Sequence, residues 1–296
     1  MKVKSKEDTI VNIVAIVLVT SFAAICLYPI IYCLSMSFSG DDAIVKGSVV
    51  LLPKGINFES YRLLFKDKMF WRSLFNSIFY TALGTFLSLI GNLSLGYVLS
   101  RPKFVFKRLL NVYILIPMMF SGGLIPTFLV IKSLGLYNTI WALVLPGSVG
   151  VWNCILAKTF FKTTIPDGIF EAAIVDGANH FQILWYIVLP LSKTIIAIIA
   201  LFTGVGIWND YFTALIYITD KNLYPLQLYL KDILSAQSNM SNLSGVLDSR
   251  DYISNFVNGQ RIKYVLIVVS TLPIAVIYPF VQKYFVKGIT LGSIKD

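Results

Sequence analysis

Charge is scarce in this sequence. Of 296 residues, 14% are charged and 56% hydrophobic, where an ordinary soluble domain carries about 25% charged residues. That shortage excludes a conventional soluble globule. The glycine and proline counts, 19 and 11, give no sign of disorder. There is one histidine, His180, and three cysteines, Cys26, Cys33 and Cys154. A lone imidazole with no cysteine near it cannot assemble a metal site of ordinary ligand count, and any Ser-His-Asp set would have to recruit that same residue. His180 reads instead as a polar loop residue. Cys26 and Cys33 stand seven positions apart, roughly 10 Å along a helix and too far for a disulfide. All three thiols lie in apolar blocks and read as small buried hydrophobes. No GxxxxGK[ST] phosphate loop occurs, so ATP is not bound or hydrolysed by that route. No GxSxG elbow occurs either. Catalytic residues, metals and cofactors are therefore not expected.

What the chain has is long apolar blocks separated by short charged stretches, the pattern of a polytopic helical membrane protein. A span needs about 20 largely apolar residues. Six segments qualify, near 10–38, 72–99, 109–131, 139–161, 191–218 and 263–286. The first follows the charged start MKVKSKEDTI and is longer than the apolar core of a cleavable signal. It ends in no small-x-small site and reads as a retained membrane helix. Polar loops near 39–71 and 219–262, a basic turn near 100–108, a tight turn near 132–138 and a mixed segment near 162–190 separate the spans. Six spans put both termini on one side.

The net charge of +10 reads as the cytoplasmic bias of Lys and Arg in membrane proteins, not as a nucleic-acid surface. Short loops weigh most in that bias. Arg101, Lys103, Lys107 and Arg108 in the basic turn contrast with Lys132 alone in the next short turn. The termini, the basic turn and 162–190 are accordingly placed in the cytoplasm. Pro117, Gly122, Gly123, Pro126, Pro146, Pro273 and Pro279 fall inside spans, which predicts kinked helices whose freed carbonyls find partners within the bundle.

The segment from Phe161 to Leu191 reads FKTTIPDGIFEAAIVDGANHFQILWYIVLPL. Thr164 and Asp167 have capping-box spacing, and Pro166 suits a first helical turn. A short helix over 168–175 is expected to stop at Gly177, because glycine tolerates the left-handed conformation of a C-terminal cap. A second amphipathic stretch from Phe181 to Leu189 leads to Pro190 and the fifth span. Glu171-Ala172-Ala173, then Gly177, Ile187 and Leu189-Pro190, fall at the spacing EAA, x3, G, x9, I, x, LP. This register resembles the EAA loop of ABC-importer permeases. The stretches YPIIYCLSMSFSGDDAI, LLPKGINFESYRLLF, WRSLFNSIFYT, WNDYFTALIYI and FVKGITLGSIKD extend the resemblance to the MalG-like carbohydrate branch, nearest its LplC/YtcP-like permeases.

The resemblance implies an all-α integral membrane fold, a single permease domain over 1–296 with six transmembrane helices of the type I ABC-importer kind. It implies that 162–190 is a cytoplasmic coupling loop docking on an ATPase through Glu171, Ala172, Ala173, Asp176, Gly177, Ile187, Leu189 and Pro190. The implied partners are a second homologous permease, two cytoplasmic ABC ATPases, an extracytoplasmic solute-binding protein and membrane lipid. The implied substrate is an oligosaccharide. The tail from Lys287 to Asp296 is expected to contact the ATPases.

Within the fifth span, Trp208-Asn209-Asp210-Tyr211 is the densest aromatic-polar cluster of any membrane segment. An acid near the bilayer centre costs about 2.5–3.5 kcal/mol on insertion scales, so Asp210 should face the bundle or water. Successive residues turn by about 100° on a helix. Trp208 and Tyr211 should then share a face lining the substrate path, with Asn209 beside it and Asp210 a candidate helix–helix contact. Asn76, Asn92, Asn111 and Asn153 read as structural first. The rival reading is an ion-coupled secondary transporter, whose members show internal repeats and coupling carboxylates. Residues 1–150 and 151–296 show no convincing repeat, and Asp210 is the clear candidate carboxylate.

Overall fold

The computed structural model describes residues 6–102, 104–242 and 249–292, with side chains at 10–102, 104–236, 259, 261–280 and 282. Every regular element among them is helical. In chain order these are α1 (Lys6–Phe38), α2 (Asp41–Val45), α3 (Glu59–Lys66), α4 (Lys68–Ser100), α5 (Lys107–Met119), α6 (Leu124–Ser133), α7 (Trp141–Val144), α8 (Val151–Thr164) and α9 (Asp167–Val175). A helix over 180–191 follows, with a π-helical middle, Ile183–Val188. We number it α10. Then come α11 (Lys193–Asn209), α12 (Phe212–Tyr217), α13 (Leu226–Asn242) and α14 (Ser249–Gly292).

Among the described residues three helices are continuous and apolar enough to cross a bilayer: Ile10–Phe38, Lys68–Ser100 and Arg261–Phe280. The segments expected at 109–131, 139–161 and 191–218 are instead interrupted. The first breaks at Phe120–Gly123, where Gly123 takes φ +82°, a left-handed value open to glycine. The second breaks at Pro146-Gly147, between α7 and α8, where proline lacks the N–H that would continue the ladder. The third breaks at Asp210, whose extended backbone ends α11. Helix α10 meets α11 at 84°. By contrast Pro273 and Pro279 lie inside the unbroken α14.

The chain resolves into two compact units. The first comprises 1–68 and 230–272. Most of α1 is apolar around its circumference and exposed, as expected of a helix whose solvent is lipid. Cys26 lies on that exposed surface, contrary to the expected burial. Cys33 is half-buried and Cys154, in the second unit, is buried. At the carboxyl end of α1 the serines of LSMSFSGDD hold a loop: Ser35 Oγ donates to Leu51 O (2.6 Å) and Ser39 Oγ accepts from Lys54 N (3.2 Å). The Phe38 ring stacks on Tyr61 at 4.9 Å. Asp41 forms an ion pair with the buried Arg261.

The second unit comprises 69–229 and 273–296, and α4 is its spine. Buried residues of α4 recur at three- and four-residue steps: Phe70, Ser73, Ser77, Tyr80, Gly84, Ser88, Asn92 and Gly96 lie along one stripe. Small residues there let backbones approach, as in membrane helix pairs generally. A Cβ on Gly96 would lie 2.5 Å from Ala157 Cβ, and one on Gly91 2.7 Å from Val149 Cγ2. Asn92 is buried and holds the Pro146 break together. Its Nδ2 donates to Ser88 O (2.8 Å) and Ser148 O (3.2 Å), and its Oδ1 accepts from Gly150 N (3.1 Å).

Candidate functional site

The segment carrying the EAA register lies against the carboxyl end of α4. Helix α8 runs to Thr164, so Thr164 is not the N-cap expected from its spacing to Asp167. Ile165 precedes a proline and is driven to extended backbone (φ −107°, ψ 110°). Pro166 therefore becomes the N-cap and Asp167 opens α9. A carboxylate at that position suits the positive end of the helix dipole. At the other end Gly177 takes φ +82°. Ala178 N donates to Ala173 O (2.9 Å) and Gly177 N to Ile174 O (3.0 Å), which is the Schellman closure glycine permits. Asn179 then caps α10: its Oδ1 accepts from Gln182 N (2.9 Å) while Asn179 N donates to Gln182 Oε1 (2.8 Å). The capping box absent at Thr164 is found here. Two caps in succession fix the turn between α9 and α10.

Packing sorts the residues of the register. Ala173 is buried, and Ile187 and Leu189 pack partly buried against the same core as Phe161, Phe170, Ile183 and Val188. Glu171, Ala172, Asp176, Gly177 and Pro190 are exposed. Asp176, Gly177, Ala178, Gln182, Tyr186 and Ile187 line an open concavity of about 310 Å³. The segment thus exposes Glu171, Ala172, Asp176 and Gly177 together with the apolar Val175, Phe181 and Tyr186, and keeps Phe170, Ala173, Ile183 and Val188 on the unit.

Sequence reasoning missed what secures it. Arg101 follows the last residue of α4, and its side chain is 11% exposed. The guanidinium carbon lies 3.4 Å from the Phe170 ring centroid and 5.7 Å from that of Tyr97. One of its nitrogens lies 3.7 Å from Asp167 Oδ1, and Nε donates to Ser100 Oγ (3.0 Å). Burial pushes the guanidinium below its ordinary value, opposed by the Tyr97 hydroxyl and Asp167. His180, expected to be a loop residue, opens α10 with Nδ1 3.3 Å from the Tyr97 hydroxyl. Arg101 had been legible only as one positive charge of a turn. Nearby, the charges of Lys158, Lys162 and Arg101 act on Lys107, so basic groups converge at this end of the unit. Lys158 Nζ donates to Asn111 Oδ1 (2.6 Å), tying α8 to α5.

The aromatic-polar cluster does not form one helical face, because α11 ends inside it. Trp208 is buried at 6% exposure, whereas Tyr211 is 43% exposed. Asn209 is exposed and donates to Val205 O (3.0 Å). Asp210 Oδ1 accepts from Thr213 N (3.0 Å), capping α12. Asp210 also lines, with Ser77, Tyr80, Leu143, Ile207 and Pro225, a cavity of about 30 Å³. That admits water and no sugar ring. The other asparagines serve backbone or helix contacts: Asn76 Nδ2 donates to Asn222 O and Tyr224 O (2.8 and 3.1 Å), and Asn153 Nδ2 to Thr203 Oγ1 (3.2 Å). Among the described residues no cluster of three or more His, Cys, Asp or Glu side chains could hold a metal ion. The tail from Lys287 lies outside the described side chains, and 293–296 lie outside the described residues altogether.

The site thus belongs to an all-helical unit with interrupted apolar segments and an exposed helical turn. The chain belongs to the family of binding-protein-dependent transport system inner membrane components, whose model matches residues 92–291. It is 39% identical over 274 residues to the polygalacturonan/rhamnogalacturonan transport system permease protein YtcP of Bacillus subtilis, covering 93% of this chain and 94% of that one. It is 38% identical over 292 residues to protein LplC of the same organism, covering 98% and 97%. Among solved structures, a bacterial ABC transporter involved in the import of the acidic polysaccharide alginate matches with TM-score 0.84 and 35% identity. That match covers 96% of this chain and all of that one. The protein is therefore an ABC-importer permease, as the EAA register implied.

Proposed function

We propose that this chain forms, with a second homologous permease, the translocation path for an acidic oligosaccharide handed over by an extracytoplasmic solute-binding protein. Two cytoplasmic ABC ATPases dock on the paired coupling segments and hydrolyse ATP, and the permease itself has no catalytic role. In this reading the interrupted segments 107–133, 141–164 and 193–217 cross the bilayer with the three continuous helices. Six crossings leave both termini, the basic turn and residues 165–191 in the cytoplasm. The convergence of Arg101, Lys107, Lys158 and Lys162 at the coupling end supports that orientation. The acidic character of the sugar is supported by the uronic-acid or acidic polymers named for YtcP and for the alginate transporter.

The observation carrying the ATPase assignment is the face described above: Glu171, Ala172 and Asp176 exposed on a short helix closed at Gly177. The alanines allow close backbone approach, and the carboxylates answer basic groups on the ATPase. ATP-driven closure then moves this segment, and the bundle switches between inward- and outward-open forms as rigid bodies. Along the path, Asn209 and Tyr211 contact sugar, an amide for hydroxyls and a ring for apolar sugar faces, with Trp208 backing them.

Co-purification tests the assignment. Glu171→Ala should release a substantial share of the ATPase from the complex, and undiminished ATPase recovery with normal uptake would count against it. Deleting residues 290–296 should lower ATP hydrolysis by the assembled complex if the tail reaches the ATPases. Competition of uptake by oligogalacturonates, but not by neutral oligosaccharides of equal length, is expected for an acidic substrate.

A further inference from the structure

We propose that the Arg101 guanidinium, clasped between the Phe170 ring and the end of α4, is the link through which movement of the coupling segment reaches the membrane helices. The proposal rests on reading 165–191 as the ATPase-coupling element, and goes on to name how its motion is transmitted.

Three features carry it. Arg101 belongs to α4's end, yet its partners Phe170 and Asp167 belong to α9, at 3.4 and 3.7 Å. Tyr97, one turn earlier in α4, packs its ring 6.3 Å from Phe170 and sets its hydroxyl beside His180 at the start of α10. Both helices of the coupling segment are therefore attached to one helix turn. That turn is itself held fast. Ser100 Oγ donates to Tyr97 O (2.6 Å) while accepting from Arg101 Nε, and Gly96 lets α4 lie directly on Ala157 of α8. A push on α9 thus has a short, packed route into α4 and from it into α8.

The chemistry suits a moving joint. A guanidinium over a ring is held by a broad attraction between the positive plane and the electron-rich face. It tolerates tilt better than a neutral hydrogen bond, which weakens steeply with angle. Arginine supplies the flat, always-charged group that lysine does not. Asp167 is largely exposed and contributes as a guide for the guanidinium more than as an anchor.

The test uses the assembled complex in liposomes, with Cys26, Cys33 and Cys154 replaced by alanine and spin labels at the exposed positions 175 and 86. In the parent complex the distance between the labels should stay the same in nucleotide-free and ATP–vanadate-trapped states, because α9 and α4 move together. In Arg101→Gln it should shift and broaden on trapping. Phe170→Leu, which keeps apolar bulk in the core, should show a smaller shift of the same kind, and Arg101→Lys one between parent and Arg101→Gln. A distance that already changes in the parent, or one equally invariant in Arg101→Gln and Phe170→Leu, overturns the proposal. The label at 175 tells the two ideas apart. If it is no less mobile in the parent complex than in the permease pair purified without the ATPases, the docking assignment fails; if it is immobilised in the complex while Arg101→Gln leaves the distance unchanged, only the link fails.

Discussion

Helix α4 is gripped at both ends, and the two grips differ in kind. Near its amino end, Arg72 Nε and Asn76 Nδ2 donate to Asn222 O, Tyr80 Oη donates to Leu223 O, and Ser77 Oγ accepts from Leu226 N. Every one of these bonds goes to the backbone of residues 222–226. Near its carboxyl end the contacts are between side chains: the Arg101 guanidinium, the rings of Tyr97, Phe170 and His180, and the Asp167 carboxylate. Directional bonds to main-chain groups fix a loop in one place, because a freed backbone group away from water is costly. Contacts between a cation and rings hold while allowing rotation. On the link proposed above, the contrast casts the amino end as scaffold and the carboxyl end as joint.

The largest expected effect lies between the two grips, at Asn92. Asn92→Leu removes a buried amide serving three backbone groups, leaving Ser148 O and Gly150 N short of partners at about 1–3 kcal/mol each. The variant should lose several degrees or more of thermal midpoint in detergent, and an unchanged midpoint would show that water replaces the amide. Next comes the turn of the joint. Gly177→Val places a β-branched residue at φ +82°, where such side chains are strained by roughly 1–3 kcal/mol. Uptake should fall at least tenfold with insertion intact, a loss of about 1.4 kcal/mol of coupling or more. Full uptake would mean that the turn has no part in coupling.

The break at Asp210 offers a sharper comparison within one motif. Trp208→Ala empties a buried site and should lower stability by about 3–5 kcal/mol. Tyr211→Ala, at a 43% exposed site, should leave the thermal midpoint nearly unchanged and reduce uptake alone. Equal stability loss in both would mean that Tyr211 is packed against a partner and not facing a path. The smallest effect is expected at the guide carboxylate. Asp167 is 77% exposed, so Asp167→Asn should cost no more than about 1 kcal/mol, read as a slight fall in thermal midpoint. A loss as large as that of Asn92→Leu would mean the joint depends on charge more than on rings.

What sequence pattern could determine here was whatever depends on local chemistry. Composition and block length decided the membrane class, because a bilayer demands runs of about 20 apolar residues. The EAA register and the glycine at 177 were legible because a left-handed turn accepts few residues but glycine. Other features needed the folded chain. Gly122, Gly123 and Pro146 marked kinks in the sequence, but hydropathy cannot tell a kink from a break inside an apolar run, and the interruption at 210 carried no such mark. The full breaks, with Asn92 and Asp210 serving freed backbone at two of them, emerged only on folding. Helical periodicity placed Trp208 and Tyr211 on one face, and the end of α11 between them annulled the premise. Most of all, Arg101 and Phe170 are 69 positions apart, and no local rule pairs a basic turn with a ring on a later helix. Their contact exists because Gly96 and Ala157 bring α4 and α8 together, and close packing over such distances in sequence is settled by tertiary structure alone.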